Sequence, residues 1–431
     1  MNLSSSKVRR FIVLGLLLMT PFLMGAYFKS CTRTTIGFWP NHPWIPEVEP
    51  NGKNLEKIAL LAANQANIHG TTLFVPWTND YHAPTYEGLF YKFGSGDCAS
   101  RRNDTIIRAY ARDFLETWVS SEGAELNLEV VFPIHVPLLA TGWGIGPECA
   151  RGLGGGFLAN PALRDEFAAF MFTVLDILEE EQFDGLQWAV SVGNEVDLYL
   201  SGAGLIPPLC LGALACGTWD EFRDFLVDMR NRIHERYGVL PRVGTSMTWH
   251  ALLRTPRPGQ NFYRWNTDKV FTALDLVVKS SDVIFFTYYP NREFDHPTAP
   301  FQILPPDDVH IHLLAMAIFA QSVQSERRRL TPVYIQEVGY STSSVVGSNQ
   351  AMQRTFVIEF FEALHDSRRY IRGASWWSLY DWGPTSCPFW APVLQPILCF
   401  TGLLNEEGLP KDAWFEFVDG ALDAETWNPF F

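Results

Sequence analysis

The chain has 431 residues, of which 47% are hydrophobic, 14% aromatic and 19% charged. This composition supplies a large apolar core and excludes an intrinsically disordered protein. With 33 basic against 47 acidic residues, the formal net charge is −14. Such acidity argues against binding nucleic acid or an anionic membrane surface through bulk charge, because both need a basic face.

The N-terminus has the layout of an export segment. Lys7, Arg9 and Arg10 precede an apolar run over residues 11–28, which is typical of a secretory signal. The run is also close to the length of a membrane span, so an uncleaved anchor is the alternative. Either way the positive-inside rule predicts an exported domain that is secreted, periplasmic or tethered at the outer face of the cytoplasmic membrane.

Short β-rich runs then alternate with longer runs of helical period. Eight strands are predicted at Thr34–Trp39, Thr71–Trp77, Leu126–Val136, Leu186–Val196, Arg242–Trp249, Val283–Tyr289, Val333–Gly339 and Gly373–Leu379. The predicted helices are Leu55–Asn67, Asp104–Ser121, Ala162–Glu181, Trp219–Tyr237, Lys269–Ser280, Asp308–Glu326, Gln350–Asp366 and Asp412–Val418. Nearly continuous apolar strands that alternate with helices are typical of buried parallel βαβ units.

Eight such repeats predict an α/β protein with a single (β/α)8 TIM barrel. We assign residues 31–431 to this barrel and residues 1–30 to the export segment. The connections after strands two, three, four and eight are long, whereas those leading back into strands are short. The enlarged βα loops therefore lie on one rim, which is the rim that carries the chemistry in such barrels.

The cysteine count fits an exported protein. Apart from Cys31 there are six cysteines, and none forms a CxxC or a zinc-finger spacing. Three disulfides in an oxidising compartment are one interpretation, with Cys98–Cys149, Cys210–Cys216 and Cys387–Cys399 favoured by the loop layout. Scattered free thiols are the alternative, and the sequence does not fix the connectivity.

Two glutamates end apolar strands of the predicted barrel. Glu195 ends strand four in the run WAVSVGNE, and Glu337 lies near the end of strand seven in VYIQEVGY. A carboxylate there is costly to bury unless it is paired or used. A single such acid could cap a helix or pair with an arginine. Two on one rim indicate the paired carboxylates of glycosidic bond hydrolysis.

At Asn194-Glu195 and Glu337 the sequence resembles the clan A retaining glycoside hydrolases. These are (β/α)8 barrels with Asn-Glu ending strand four and Glu ending strand seven, and no individual family is assigned. The resemblance implies that Glu195 is general acid/base and Glu337 nucleophile, with no cofactor and no metal. Many families of the clan carry an arginine near the end of strand two, whereas residues 74–77 here read FVPW. Some other donor must therefore hold Glu337 ionised, or the protein is catalytically weak.

The same resemblance suggests contacts around the pair. Asn194 is expected to bond a sugar 2-hydroxyl, with a backbone-bonded amide as the alternative. Tyr288 is expected to contact the nucleophile from strand six, although either Tyr288 or Tyr289 could belong to the core. His135, at the end of strand three, is expected to touch the sugar or to be a satisfied core histidine.

Tryptophans at strand ends support a carbohydrate cleft, because sugar C–H faces pack on indole rings. The chain has 15 tryptophans. Trp39 and Trp249 are expected to line the cleft, and Trp377, in preference to Trp376, to floor the first sugar subsite as the resemblance suggests. For any one of them, a role as bulky core filler is the alternative.

The sequence thus predicts an exported or anchored retaining glycosidase that acts on a β-linked oligosaccharide or polysaccharide. A non-catalytic carbohydrate-binding barrel is one alternative, and a transglycosylase that uses the same two glutamates is another. No nucleic acid partner is expected. The sequence leaves the sugar, the linkage and the oligomeric state open.

Overall fold

The computed structural model describes residues 34–38, 70–77, 90–92, 94–118, 127–133, 149–150, 156–180, 187–198, 219–239, 241–249, 253–254, 264–265, 280–292, 302–327, 331–382 and 398–427. Within these ranges eight parallel strands close into a barrel, as the sequence predicts. They are β1 (Thr35–Phe38), β2 (Gly70–Phe74), β3 (Asn127–Phe132), β4 (Gln187–Val192), β5 (Arg242–Thr248), β6 (Val283–Tyr288), β7 (Val333–Val338) and β8 (Ile371–Trp376). Each strand pairs with its neighbours in the chain, and β1 pairs with β8 to close the ring.

Helices follow the strands and surround the barrel. The long ones are α1 (Asp104–Trp118), α2 (Pro161–Glu180), α3 (Trp219–Tyr237), α4 (Asp308–Arg327), α5 (Gln350–Ser367) and the closing α6 (Asp412–Ala424). Shorter elements are the helices Cys98–Arg101 and Gly156–Ala159, the 3₁₀ turns Val196–Leu198 and Ser344–Val346, and two antiparallel ribbons that pair Leu253–Arg254 with Arg264–Trp265 and Asn291–Arg292 with Gln302–Ile303.

The strands present two faces with different tasks. On β6, Phe286 points outward and meets Phe319 of α4, with ring centroids 5.7 Å apart. Thr287, the next residue, points into the barrel, because successive side chains of a strand alternate between its faces. Tyr289 points inward as well and packs in a small interior cluster with Phe74, Val131 and Trp377. The site described below is built on this inward face.

Helix α5 shows how the outer layer is fixed. The Asn349 side chain accepts a hydrogen bond from the Met352 amide at 3.0 Å and so satisfies one free donor of the first turn. Phe356 and Phe360 are buried beneath the helix, and Phe356 stacks on Tyr340 with centroids 4.6 Å apart. Each such phenylalanine contributes roughly 1.5–3 kcal/mol through burial.

The sequence predictions and the structure differ mainly at element ends. Strand β4 stops at Val192, before its predicted end, since the run continues into the bend at residues 193–195 and the 3₁₀ turn Val196–Leu198. Strand β3 runs to Phe132, and residues 134–136 of its predicted range lie outside the described residues. Strand β8 runs over Ile371–Trp376, two residues earlier at its start than predicted. The predicted helix Leu55–Asn67 and nearly all of Lys269–Ser280 lie outside the described residues. The described part of the chain holds no helix with the length and apolar character to cross a membrane, and the run at 11–28 lies outside that part.

One predicted disulfide is confirmed. Cys98 and Cys149 are bonded, and 51 residues separate them, so the bridge joins the connection after β2 to the connection after β3. Cys399 is disulfide-bonded as well. Cys210, Cys216 and Cys387 lie outside the described residues, so the other two pairings stay predictions.

Replacement of Cys98 and Cys149 by serine should lower the free energy of unfolding by about 2–4 kcal/mol, because a closed loop of this length restricts the unfolded chain. Thermal unfolding of the double variant measures the loss. Wild type in the presence of reductant should lose at least as much, because the disulfide of Cys399 is reduced as well. An unchanged midpoint in both experiments would contradict a stabilising bridge.

Candidate active site

The turn after β4 places Glu195 at the barrel mouth. Gly193 has φ +90°, and Glu195 has φ +49°, which makes it a left-handed non-glycine residue. A Cβ at position 193 would lie 2.5 Å from Cγ1 of Val196, so both its conformation and its surroundings require glycine. The left-handed geometry of Glu195 costs roughly 1–2 kcal/mol. Strain of this kind is typical of functional sites.

The Glu195 carboxyl group is kept largely from water. Thr287 of β6 donates a hydrogen bond to its Oε1 at 2.6 Å. Burial raises the pKa of Glu195, the negative charges of Glu337 and Asp197 raise it further, and the bond from Thr287 opposes the rise. Asp197 is itself fixed by the amide of Thr248, which donates to its Oδ1 at 2.9 Å. These surroundings favour the protonated form of Glu195.

Glu337 receives two hydrogen bonds from neutral donors. The Tyr289 hydroxyl donates to Oε2 at 2.7 Å, and Nδ2 of Asn194 donates to Oε1 at 3.3 Å. Glu337 is 5% exposed, and burial raises its pKa, while these two bonds lower it. Bonds to the charged form of a carboxyl group stabilise that form. Of the two carboxyls, Glu337 is therefore the one equipped to hold the negative charge.

A buried chain of amides orients Asn194. Its Oδ1 accepts a hydrogen bond from Nε2 of Gln336 at 3.0 Å, and Oε1 of Gln336 accepts one from the Ser191 hydroxyl at 3.3 Å. Gln336 has no exposed surface. Because the Asn194 oxygen is engaged by Gln336, its NH2 group faces Glu337. The prediction that Asn194 lies at the site agrees with this placement, and its contact with a sugar stays a prediction.

The structure corrects the assignment on β6. The Tyr288 hydroxyl is 2.8 Å from Nδ1 of His312 on α4, and Tyr288 has no exposed surface. The contact to Glu337 that was expected of Tyr288 is made by Tyr289. The physical reason is the alternation of the strand, which places Thr287 and Tyr289 on the inward face and Tyr288 on the helix-facing side.

The tryptophans divide into core and interior residues. Trp249 is fully buried and packs edge-on against Phe286 at 4.9 Å, so it offers no free face to a sugar, and the expectation that it lines a cleft is wrong for this structure. Trp376 also faces the helices, where its Nε1 donates to the carbonyl of Thr401 at 2.9 Å. Trp377 points inward instead and packs with Tyr289. His135 and Trp39 lie outside the described residues.

The end of β2 carries no basic side chain that could support the nucleophile. Trp77 is buried there, and its Nε1 donates to the Tyr91 hydroxyl at 2.8 Å. That hydroxyl donates to Glu166 at 2.9 Å, and Arg102 bonds both oxygens of Glu166 at 2.8 Å. Arg102 thus neutralises Glu166 in this network and makes no contact with Glu337 among the described residues. The donors to Glu337 are Tyr289 and Asn194.

Three residues of the site were missed by the sequence analysis, namely Thr287, Gln336 and Tyr289 in its observed role. Strand parity on β6 could have found Thr287 and Tyr289. Side chains of β6 alternate between the barrel interior and the helices, so every second residue points inward. The polar Thr287 in an apolar run marks the inward face. Gln336 is adjacent to Glu337, and both face the interior because the register of β7 shifts between Ile335 and Glu337, which the sequence does not show.

Metal-ligating side chains do not gather at the barrel mouth among the described residues. One group of three could hold an ion, because the ligand atoms of His310, Glu359 and Glu362 lie within 4.8 Å of one another. It lies on the outer helices α4 and α5, where His310 already pairs with Glu359 at 2.7 Å.

Comparisons with known proteins identify the fold. A glycoside hydrolase GH5_18 from Bifidobacterium longum subsp. infantis superimposes with a TM-score of 0.59 at 14% identity, covering 92% of this chain and 80% of that one. The chain therefore shares the fold of this glycoside hydrolase. A GH5_18 variant from Streptomyces cattleya, in complex with Manb1-4GlcNAc, gives a TM-score of 0.59 at 15% identity, covering 91% and 81% of the two chains.

The exo-beta-1,4-mannosidase Op5Man5 from Opitutaceae bacterium strain TAV5 also gives a TM-score of 0.59 at 15% identity, and the match covers 91% of this chain and 60% of that one. No family model matches the sequence, and no curated protein does. The similarity is therefore one of fold, consistent with the strand order of the closed barrel.

Replacement of Tyr289 by phenylalanine should raise the pKa of Glu337, because the ionised carboxylate loses a donor. Hydrogen bonds to charged groups contribute about 1.5–3 kcal/mol, so the titration midpoint should move up by about one to two pH units. Carbon-13 NMR of labelled glutamate measures the midpoint, with the Glu337 signal identified by its loss in Glu337→Gln.

Tyr288→Phe is the matched control. It removes the neighbouring hydroxyl, which bonds to His312, and should cost about 1 kcal/mol of stability without moving the Glu337 midpoint. Equal shifts in the two variants would contradict the assignment of Tyr289.

Proposed function

We propose that the protein is a retaining glycoside hydrolase. The observation that carries the proposal is the different hydrogen bonding of two neighbouring carboxyl groups, because Glu195 accepts one hydrogen bond and Glu337 accepts two from the described residues. Glu195 lies among groups that favour its proton, and Glu337 accepts two hydrogen bonds that favour its charge. Hydrolysis by double displacement needs this division of roles between an acid and a nucleophile.

In the first step an oxygen of Glu337 attacks the anomeric carbon as the glycosidic bond breaks. Glu195 gives its proton to the departing oxygen, so the leaving sugar departs as a neutral alcohol. In the second step Glu195, now ionised, takes a proton from water, whose oxygen attacks the anomeric carbon and releases Glu337. Asn194 and Tyr289 support the charge of Glu337 before the attack and after the release.

The proposed substrate is a β-linked oligosaccharide or polysaccharide. The structural neighbours include an exo-beta-1,4-mannosidase and a complex with Manb1-4GlcNAc, so β-mannosides are the first glycans to test. Trp377, on the inward face beside Tyr289, is the proposed platform for the sugar at the cleaved bond. Export, by secretion or with a membrane tether, is part of the proposal because of the N-terminal segment and the disulfide.

Two other activities use the same cleft. A carbohydrate-binding barrel without turnover was favoured by the lack of an arginine on β2, but the donors Tyr289 and Asn194 supply the support that such an arginine would give. A transglycosylase would pass the bound sugar to another sugar hydroxyl instead of water, with Glu195 as the base. Products longer than the substrate would identify that activity.

Release of reducing sugar from a β-glycan panel tests the two assigned roles. Glu195→Gln should lose about 10²–10⁴-fold in kcat/KM for substrates with poor leaving groups, and Glu337→Gln should lose about 10⁴-fold or more. Glu359→Gln, on the outer face of α5, is the control and should match wild type. Equal activity in all four proteins would remove both roles.

The stereochemistry of the first product tests the mechanism separately. Proton NMR during the first turnovers should show the anomer of the substrate, because two displacements restore the configuration. The opposite anomer would indicate a single displacement by water.

The activity should depend on pH in a bell-shaped profile whose optimum lies at a higher pH than ordinary carboxyl groups would give. Activity requires ionised Glu337 and protonated Glu195, so it is lost below the lower apparent pKa of the pair and above the higher one. Burial raises both pKa values, which moves both limbs to higher pH than ordinary carboxyls would give. Thr287→Val removes a bond that lowers the pKa of Glu195, so the alkaline limb should move further up in kcat/KM profiles. A downward move would contradict the proton on Glu195.

A further inference from the structure

Two threonines on neighbouring strands hold the turn that carries Glu195. Thr248 ends β5 and is the register partner of Thr287 on β6. Paired residues of neighbouring strands point to the same face of a sheet, so both side chains point into the barrel. Thr287 donates a hydrogen bond to Glu195. Thr248 donates two hydrogen bonds to Asp197, one from its amide at 2.9 Å and one from its hydroxyl.

The backbone of Glu195 therefore lies between two anchored points. On one side, the amide of Gly193 donates to the carbonyl of Phe132 at 2.8 Å. On the other side, Asp197 in the 3₁₀ turn Val196–Leu198 is tied to the end of β5. The left-handed φ of +49° at Glu195 falls between these anchors. A strained conformation persists only where its surroundings over-determine it, and two anchors, each two residues away, meet that condition.

The carboxylate of Asp197 matches the donors that face it. Asp197 is 3% exposed and Thr248 is 1% exposed, and a buried carboxylate is costly unless donors satisfy it. Each of its oxygens accepts one hydrogen bond from Thr248, and bonds to a charged acceptor are stronger than bonds between neutral groups. The negative charge of Asp197 also raises the pKa of Glu195. One side chain thus fixes the turn and favours the proton on its neighbour.

On these contacts, and resting on the glycosidase function proposed above, we propose that Asp197 is a positioning residue that, through Thr248, holds the turn of Glu195 in the conformation from which Glu195 delivers its proton. The effect travels along two residues of backbone and needs no direct contact between the two carboxyl groups. It concerns the acid alone, because the donors to Glu337 come from Asn194 and Tyr289.

The leaving group of the substrate separates a positioning role from a merely structural one. In Asp197→Ala the anchor is lost, and kcat/KM for a β-linked disaccharide, whose leaving group needs a proton, should fall about 10²-fold. A dinitrophenyl glycoside of the same sugar leaves without a proton, so its kcat/KM should stay within about threefold of wild type. A variant that is merely less well folded loses activity toward both substrates alike.

Thr248→Val and Thr248→Ser form the matched pair. The valine variant removes the hydroxyl at nearly the same shape and should lose about tenfold with the disaccharide only. The serine variant keeps both donors and should match wild type with both substrates. This pair also decides the proposal if Asp197→Ala does not fold.

A crystal structure of Asp197→Ala, or of Thr248→Val in its place, tests the geometry without any substrate. Glu195 should leave the left-handed region, with its carboxyl group displaced from Thr287. If wild type cleaves no glycoside, the proposed function fails, while this conformation still decides the role of Asp197. An unchanged Glu195 in the crystal would overturn the inference, and so would equal losses with the two leaving groups.

Discussion

The site depends on one electrostatic constraint. The carboxyl groups of Glu195 and Glu337 lie close together in poorly solvated surroundings, so only one of them readily holds a charge. Removal of a carboxylate from water is expensive, and a second one beside it is more so. The barrel meets this constraint because it places more hydrogen-bond donors beside Glu337 than beside Glu195. Glu337 accepts hydrogen bonds from Tyr289 and Asn194. Glu195 accepts one from Thr287, and the negative charge of Asp197 disfavours its ionised form. The roles of acid and nucleophile that we propose for Glu195 and Glu337 rest on these contacts.

The fold converts distant sequence positions into this arrangement. Glu195 follows β4 and Glu337 ends β7, so neither strand touches the other, yet β6 reaches both through Thr287 and Tyr289, two residues apart on one face. The turn through Gly193 and Glu195 serves the same purpose, because its left-handed backbone redirects the Glu195 side chain, which an ordinary strand end would place elsewhere. Burial of aromatic residues on the outer helices stabilises the fold and offsets the strain of the Glu195 backbone.

The sequence predicted the eight strands and the two glutamates of the site. It did not predict which neighbouring aromatic residues point into the barrel, for reasons that the structure identifies. Continuous apolar runs located all eight strands because buried parallel strands leave little room for polar residues. The two glutamates stood out as charges in those runs. Tyr288 and Tyr289 could not be separated by composition, since both are tyrosines next to a strand end and only the register decides which points inward. Trp249 was misjudged for a related reason, as an indole at a strand end serves a helix layer as well as it serves a sugar.

Glu129 shows what a strand-by-strand reading leaves out. It is a charged residue type in an apolar run, as Glu195 and Glu337 are, but it lies mid-strand, where the barrel interior and not the rim surrounds it. Its register places it beside Thr72 and Ala189, neither of which carries a charge. Burial disfavours its charged form, and the charge of Glu337 disfavours that form further. A charged residue type in an apolar run is thus a candidate site residue only where the register also brings donors to it, and the sequence alone does not show that register.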